Sequence, residues 1–294
     1  MDLKKLVEEQ SLINFPVGLG GCRATNSFFD SCDYDITIFD DKSERTNIIF
    51  YDDNFIKIHH GSLKETKSDI LVKYDGMQII YDESWELRMF LSKIKEKRLT
   101  LYKDYAKNCL FNSLFCCEKT KEGIKTSNVF SSCWQICASY FLADAIYLLN
   151  LYRPNPTHML DMIRKFEKNQ INEQISTVTQ TIGIERATQS LLERMLKSTI
   201  GFSDLVENNN HSKIIQQKYD LFVKNSMLSD CYFYLGYINK ENFVKIKDNI
   251  DGQPDLIHIL KIAFDIEADS NLLENQVKLI QKSCNAIFGL ISGA

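Results

Sequence analysis

Two glycines, an arginine and two aspartates within one short stretch are the residues of this chain best suited to chemistry. Gly20 and Gly21 follow the apolar run Phe15-Pro16-Val17-Gly18-Leu19, and a turn without Cβ atoms lets backbone amides approach a phosphate. Arg23 places a fixed positive charge just beyond them, and Asp33 and Asp35 stand two apart in Asp33-Tyr34-Asp35-Ile36-Thr37-Ile38-Phe39. On a strand, both carboxylates share one face while Tyr34, Ile36 and Ile38 take the other. Side chains two apart along a strand lie about 7 Å from one another, and their carboxylates can converge on a magnesium pair about 3.5–4 Å apart. That pattern suits metal-assisted phosphoryl chemistry. A glycine turn before an acidic strand also describes an ordinary surface hairpin with solvated carboxylates, and both readings stand at this level.

The order of these residues, with Leu19-Gly20-Gly21 ahead of Asp33-Tyr34-Asp35-Ile36, resembles the signature of the nucleotidyltransferase superfamily, of the DNA polymerase beta-like and kanamycin nucleotidyltransferase-like fold. The resemblance covers roughly residues 1 to 85. It implies that Asp33 and Asp35 bind divalent metal, Mg²⁺ or Mn²⁺, and that Gly20 and Gly21 hold the phosphates of a nucleoside triphosphate. Arg23 would offset charge on the departing phosphates, and a third carboxylate on a neighbouring strand would complete the site. The implied reaction is attack of an acceptor hydroxyl on the α-phosphate, with release of pyrophosphate. Small molecules, RNA ends and protein side chains all remain open as acceptors, and small members of the family often pair, which makes a homodimer an option.

The next strand, Phe55-Ile56-Lys57-Ile58-His59-His60, offers Lys57 or His59 where the resemblance places the third acid. Asp69 is the best substitute, because it opens Ser68-Asp69-Ile70-Leu71-Val72-Lys73-Tyr74, read as a further strand, although a strand opener also serves as a turn or cap residue. The expected catalytic set is therefore Asp33, Asp35 and Asp69, with the metal on Asp33 and Asp35. Lys57 and His59 share a parity, and on the metal-site face they would contact a triphosphate, with His59 suited to general base work near neutral pH. Without a third acid, the domain would bind nucleotide and one metal without transferring anything, as a binding or regulatory module, or would use another group as the base for the acceptor hydroxyl.

These residues must be positioned by a small sheet. Asn47 to Tyr51 and Phe55 to His60 read as strands, and Ile70 to Tyr74 and Met77 to Tyr81 read as a hairpin joined by Asp75-Gly76, a strong two-residue turn signal. From Ser84 onward apolar residues recur three and four apart, as in Trp85, Leu87, Met89, Phe90, Leu91 and Ile94, so the rest reads as helices. The fold class expected is α+β, with a small mixed-sheet domain over residues 1–85 and a helical bundle over 86–294. No flexible linker separates them, which suggests a rigid pair with a cleft between. The polar run Glu207 to His211 reads as a helix junction.

Within the helical part, Arg153 and His158 resemble the Arg-x4-His element of HEPN domains, an RNA-cutting pair in active members. The plainer reading is that Pro154 and Pro156 end one helix and Thr157 caps the next. Lys93, Lys95, Lys97, Arg98 and Lys103 cluster after the sheet, where they could hold phosphate, but Glu96 and Asp104 among them point to a solvated face. Tyr232, Phe233, Tyr234 and Tyr237 have the spacing of core-packing aromatics.

The 294 residues carry 44% hydrophobic and 25% charged side chains with four prolines, which favours a helix-rich globule over disorder. A net charge of −4 argues against a broadly basic nucleic-acid binder. The nine cysteines lack Cys-x-x-Cys pairs and sit mostly in apolar helical stretches, so buried free thiols and a reducing cytoplasm are expected. The first ten residues read as an amphipathic helix with acids rather than an export signal. The longest apolar stretch, Cys133 to Leu151, contains Gln135, Asp144 and Asn150, which suits a buried helix and no membrane span.

Overall fold

The computed structural model describes residues 1–10, 12–25, 28–43, 46–207, 210–266 and 269–292. The chain forms two compact units, Met1–Tyr105 and Ala106–Ala294, in an α+β arrangement.

The first unit opens with α1, Leu3–Glu9, whose amino terminus is closed by the Asp2 carboxylate accepting from the amides of Lys4 and Lys5. Five strands follow: β1 Val17–Gly20, β2 Tyr34–Ile38, β3 Asn47–Tyr51, β4 Asn54–His60 and β5 Gln78–Tyr81. They form one sheet in the order β3-β4-β2-β1-β5, in which β2 and β4 run parallel and the other neighbours antiparallel. Val17 and Leu19 of β1, Ile36 and Ile38 of β2, and Ile56 and Ile58 of β4 bury one face of this sheet together with Leu6 and Val7 of α1. Period-two alternation therefore leaves Asp35 and Thr37, with Lys57 and His59, on the opposite face.

One expected hairpin is absent. Residues Ser68–Tyr74 form a helix, α2, and Asp75-Gly76 turns the chain from α2 into β5, with Gly76 at φ 71°. A three-residue apolar run such as Ile70-Leu71-Val72 looks alike in a strand and in a buried helix. Ile70 and Tyr74, four apart, share a helix face, and Asp69 in the first turn and Lys73 in the last match the helix dipole. The observed hairpin joins β3 to β4 through Asp52 and Asp53, both at positive φ, as a two-residue turn of matching twist requires.

Two helices follow, α3 Glu86–Glu96 and α4 Arg98–Thr126, so the basic residues 93 to 103 are divided between them. Arg98 is tied to Asp75 by Nε–Oδ2 contact at 2.8 Å, and the Tyr102 hydroxyl donates to the same oxygen. Burial, with the Asp75 bond next in weight, pushes the Tyr102 phenol up to about 12.

The second unit contains α5 Ser131–Leu149, α6 Met159–Ile163, α7 Ile175–Ile182, α8 Gln189–Glu207, α9 His211–Lys224, α10 Leu228–Ile246, α11 Ile257–Ala263 and α12 Ser270–Ser292. Of the expected junction at 207–211, Asn208 and Asn209 lie outside the described residues. Tyr232, Phe233, Tyr234 and Tyr237 are buried on α10, with Phe233 and Tyr237 packed on Tyr140 of α5. All nine cysteines are buried free thiols, and burial raises the Cys284 thiol to about 11, which keeps it protonated and unreactive. No helix among the described residues is long and apolar enough to cross a membrane.

Arg153 and His158 both precede α6, in the irregular stretch after α5, and so do not share a helix. The expected Thr157 cap is replaced by a turn in which the Asn155 side chain accepts from the Thr157 amide at 3.1 Å. An asparagine bonding the backbone two residues on makes this turn without a hydroxyl cap.

Candidate functional site

The parallel pairing of β2 and β4 sets Asp35 opposite Lys57 and Thr37 opposite His59. Residues in register on neighbouring parallel strands share a face, so the polar sides of the two strands meet. Lys57 Nζ lies 2.8 Å from Asp33 Oδ2, and His59 Nε2 lies 3.3 Å from Asp35 Oδ1. The second His59 nitrogen, Nδ1, is 3.0 Å from Thr46 Oγ1. A carboxylate only accepts, so the network assigns the Nε2 proton to the Asp35 bond, and in the neutral ring Nδ1 accepts from the Thr46 hydroxyl. His60, on the other face of β4, pairs with Asp40 at 2.9 Å. The four central side chains thus form two cation–carboxylate pairs when His59 is protonated.

The glycine turn packs directly against this cluster. Gly21 has φ 65° and ψ −166°, a backbone region that essentially only glycine adopts. A Cβ there would stand 2.0 Å from Asp35 Oδ2, whereas at Gly20 the nearest atoms would be 3.6 Å away. Gly21→Ala is therefore expected to cost about 2 kcal/mol or more through strain and displacement of the Asp35 carboxylate. Gly20→Ala should cost clearly less, and urea unfolding of the two variants compares them. Equal destabilisation would show that Asp35 does not need this close approach.

Arg23 sits just past the turn, and its guanidinium donates to two backbone carbonyls, Nε to Cys32 O at 2.9 Å and Nη2 to Asp30 O at 2.6 Å. It also lies over the rings of Phe28 and Tyr34 at 4.6 and 4.5 Å. Arg23 therefore pins the segment that delivers Asp33. Asp69 occupies the first turn of α2, outside the sheet, so the strand beside Asp33 and Asp35 carries Lys57 in place of an acid.

A pair of divalent ions brings four positive charges, and a two-metal site needs carboxylates free to bridge them. Here the Asp33 carboxylate already holds an ammonium at 2.8 Å. Like charge at that distance repels an incoming cation by several kcal/mol at the effective dielectric of a protein surface, about 4 kcal/mol per unit charge at 4 Å. The donor set as folded does not fit a two-metal centre.

No protein-family model matches the chain, and no curated protein matches it. Among solved structures, the chain is similar to a nucleotidyltransferase-like protein from Exiguobacterium sibiricum 255-15, at 10% sequence identity and a TM-score of 0.35. The alignment covers 85% of this chain and 88% of that one.

Sequence reasoning named Asp33, Asp35, Lys57 and His59, and the structure brings these four together. It missed Thr46, whose contact with His59 depends on the β3–β4 register, and Asp40, which the even parity of His60 could have suggested.

Proposed function

We propose that the first unit is a nucleotidyltransferase-like module that holds a nucleoside triphosphate without metal-assisted transfer, and so acts as a binding or regulatory unit. The observation that supports this reading is the Lys57–Asp33 ion pair on the strand position where the family resemblance calls for an acid. Lys57 brings positive charge, and Lys57 and His59 bring hydrogen-bond donors, to the face that Gly20 shares with Asp35, where triphosphate oxygens would be held. Neither side chain supplies a Lewis acid for attack on the α-phosphate. The transferase reading, with Mg²⁺ on Asp33 and Asp35 and an acceptor hydroxyl as nucleophile, makes the opposite predictions.

Calorimetric titration of the four nucleoside triphosphates separates the two. In the proposed module, binding survives chelation with EDTA, falls at least tenfold in Lys57→Ala, and proceeds without pyrophosphate release. Pyrophosphate release that requires Mg²⁺ and disappears in an Asp33→Ala, Asp35→Ala double variant would establish the transferase instead. Absence of binding by every triphosphate would remove nucleotide from both readings.

A further inference from the structure

Thr46, His59 and Asp35 form a chain of hydrogen bonds across the sheet of the first unit. Thr46 directly precedes β3, and the register that pairs Asn47 with Ile58 sets it beside His59 of β4. Its hydroxyl lies 3.0 Å from His59 Nδ1, and His59 Nε2 lies 3.3 Å from Asp35 Oδ1 on β2. With the Nε2 proton assigned to the Asp35 bond, Nδ1 of the neutral ring faces the Thr46 hydroxyl as a base.

A hydroxyl on one imidazole nitrogen, with the other nitrogen held by a carboxylate, is the order of groups in a hydrolytic triad, which is recognised by geometry and roles. His59 and Asp35 stand on paired strands, which position side chains more precisely than loops do. The cluster is open to reactants, since the His59 and Asp35 side chains are 35% and 28% exposed and Thr46 is half-buried. Lys57, two residues along β4 and about 7 Å away by strand rise, brings an ammonium shared with Asp33 to the same face. Positive charge there favours an oxyanion. The acyl carbon of a carboxylic ester is uncharged and accepts a nucleophile without a metal, whereas a phosphoryl group carries negative charge that would have to be offset beside Asp35.

We propose that Thr46, His59 and Asp35 hydrolyse small carboxylic esters, with Thr46 as nucleophile, His59 as general base and acid, and Asp35 as the positioning residue. Thr46 Oγ1 attacks the carbonyl carbon as its proton passes to His59 Nδ1. The bond from carbon to the alcohol oxygen then breaks, and the alcohol leaves with that proton, giving acyl-Thr46. Water attacks the acyl carbon and yields a proton to Nδ1; the bond to Thr46 Oγ1 breaks, that oxygen takes the proton back, and the carboxylic acid departs. Asp35 holds the ring through Nε2–H and faces the imidazolium formed in each half. This activity needs no nucleotide and does not rest on the reading above.

The test uses the full chain and p-nitrophenyl acetate. Release of p-nitrophenol should be at least about tenfold faster than with equimolar free imidazole, and peptide mass mapping of samples quenched in acid during turnover should find acetyl on Thr46. Thr46→Val keeps the shape without the hydroxyl and should lose the activity, whereas Thr46→Ser should keep it. His59→Gln should lose both the activity and the adduct. Circular dichroism checks that the variants fold, and the wild-type adduct needs no variant. Release no faster than imidazole, release by folded Thr46→Val within about twofold of wild type, or no acetyl on Thr46 would overturn the proposal.

Discussion

Replacing Lys240 with methionine is expected to destabilise the helical unit by about 3–5 kcal/mol, the usual cost of removing one partner from a buried ion pair. Lys240 on α10 and Asp144 on α5 are both buried, and Nζ lies 2.8 Å from Asp144 Oδ2. Tyr237 donates to the other carboxylate oxygen at 2.7 Å, and the ammonium sits 4.4 Å from the ring centres of Phe141 and Tyr237. Without the lysine, Asp144 would remain in the core as a carboxylate with one hydrogen bond. That loss is a large share of a total stability of about 5–15 kcal/mol. Replacing both residues, as Asp144→Leu with Lys240→Met, should be much milder than the single change, because no charge is then stranded. A double-mutant cycle by urea unfolding measures the difference, and a single variant within about 1 kcal/mol of wild type would show that the pair is not buried as described. Alkaline pH gives a second readout. Burial opposes the Lys240 charge, but attraction from Asp144, with Glu241 and the hydrogen bond added, leaves its pKa above the ordinary 10.5. A group raised on folding contributes fully below its unfolded pKa and loses that contribution as pH rises through the folded value. The gap between wild type and Lys240→Met should therefore hold up to about pH 10.5 and close at higher pH.

Asp144 illustrates what the sequence makes legible and where it stops. A carboxylate inside the apolar stretch Cys133 to Leu151 implies a partner, since a charge is not buried alone, yet nothing in the chain says that the partner is Lys240, on a helix much later in sequence. The same limit applies to Tyr232, Arg186 and Asp265, which come from three separate segments and meet only through helix packing. Local pattern succeeds where it is periodic. Tyr34–Ile38 and Asn54–His60 were readable as strands because Ile36, Ile38, Ile56 and Ile58 alternate, and that alternation placed Asp35, Lys57 and His59 on one face. It failed at Ser68–Tyr74, where three adjacent apolar residues lack a period and Asp75-Gly76 suits either a hairpin or a helix exit. Asp69 was lost with that strand. The role of Gly21 was half legible: a tight turn needs glycine, but only the β1–β2 register shows that the space saved belongs to the Asp35 carboxylate.

Changing Lys57 to aspartate is expected to give the first unit a larger divalent-metal response than that of the natural sequence. The substitution removes the ammonium from Asp33 and sets a carboxylate in register with Asp35 on the neighbouring parallel strand, about 5 Å away at ordinary strand spacing. Three acids on one face repel each other, so the variant should melt below wild type in EDTA. A cation that binds the folded state alone stabilises it by RT ln(1 + [L]/Kd), about 2.7 kcal/mol at a hundredfold excess over Kd. For a chain of this size each kcal/mol corresponds to roughly 2–4 °C, so saturating Mn²⁺ or Mg²⁺ should raise the Tm of Lys57→Asp by several degrees. Wild type should move by less than about 1 °C on the same scale, because Lys57 already neutralises Asp33. Lys57→Met separates the two contributions: it removes the ammonium without adding an acid, and its response should fall between the other two. A wild-type shift as large as that of Lys57→Asp would mean that metal displaces the lysine readily, and the two aspartates would then have to be treated as a metal site in the natural protein. The experiment thus turns on one strand position, where a single side chain decides whether this face of the sheet holds a metal or a protein cation.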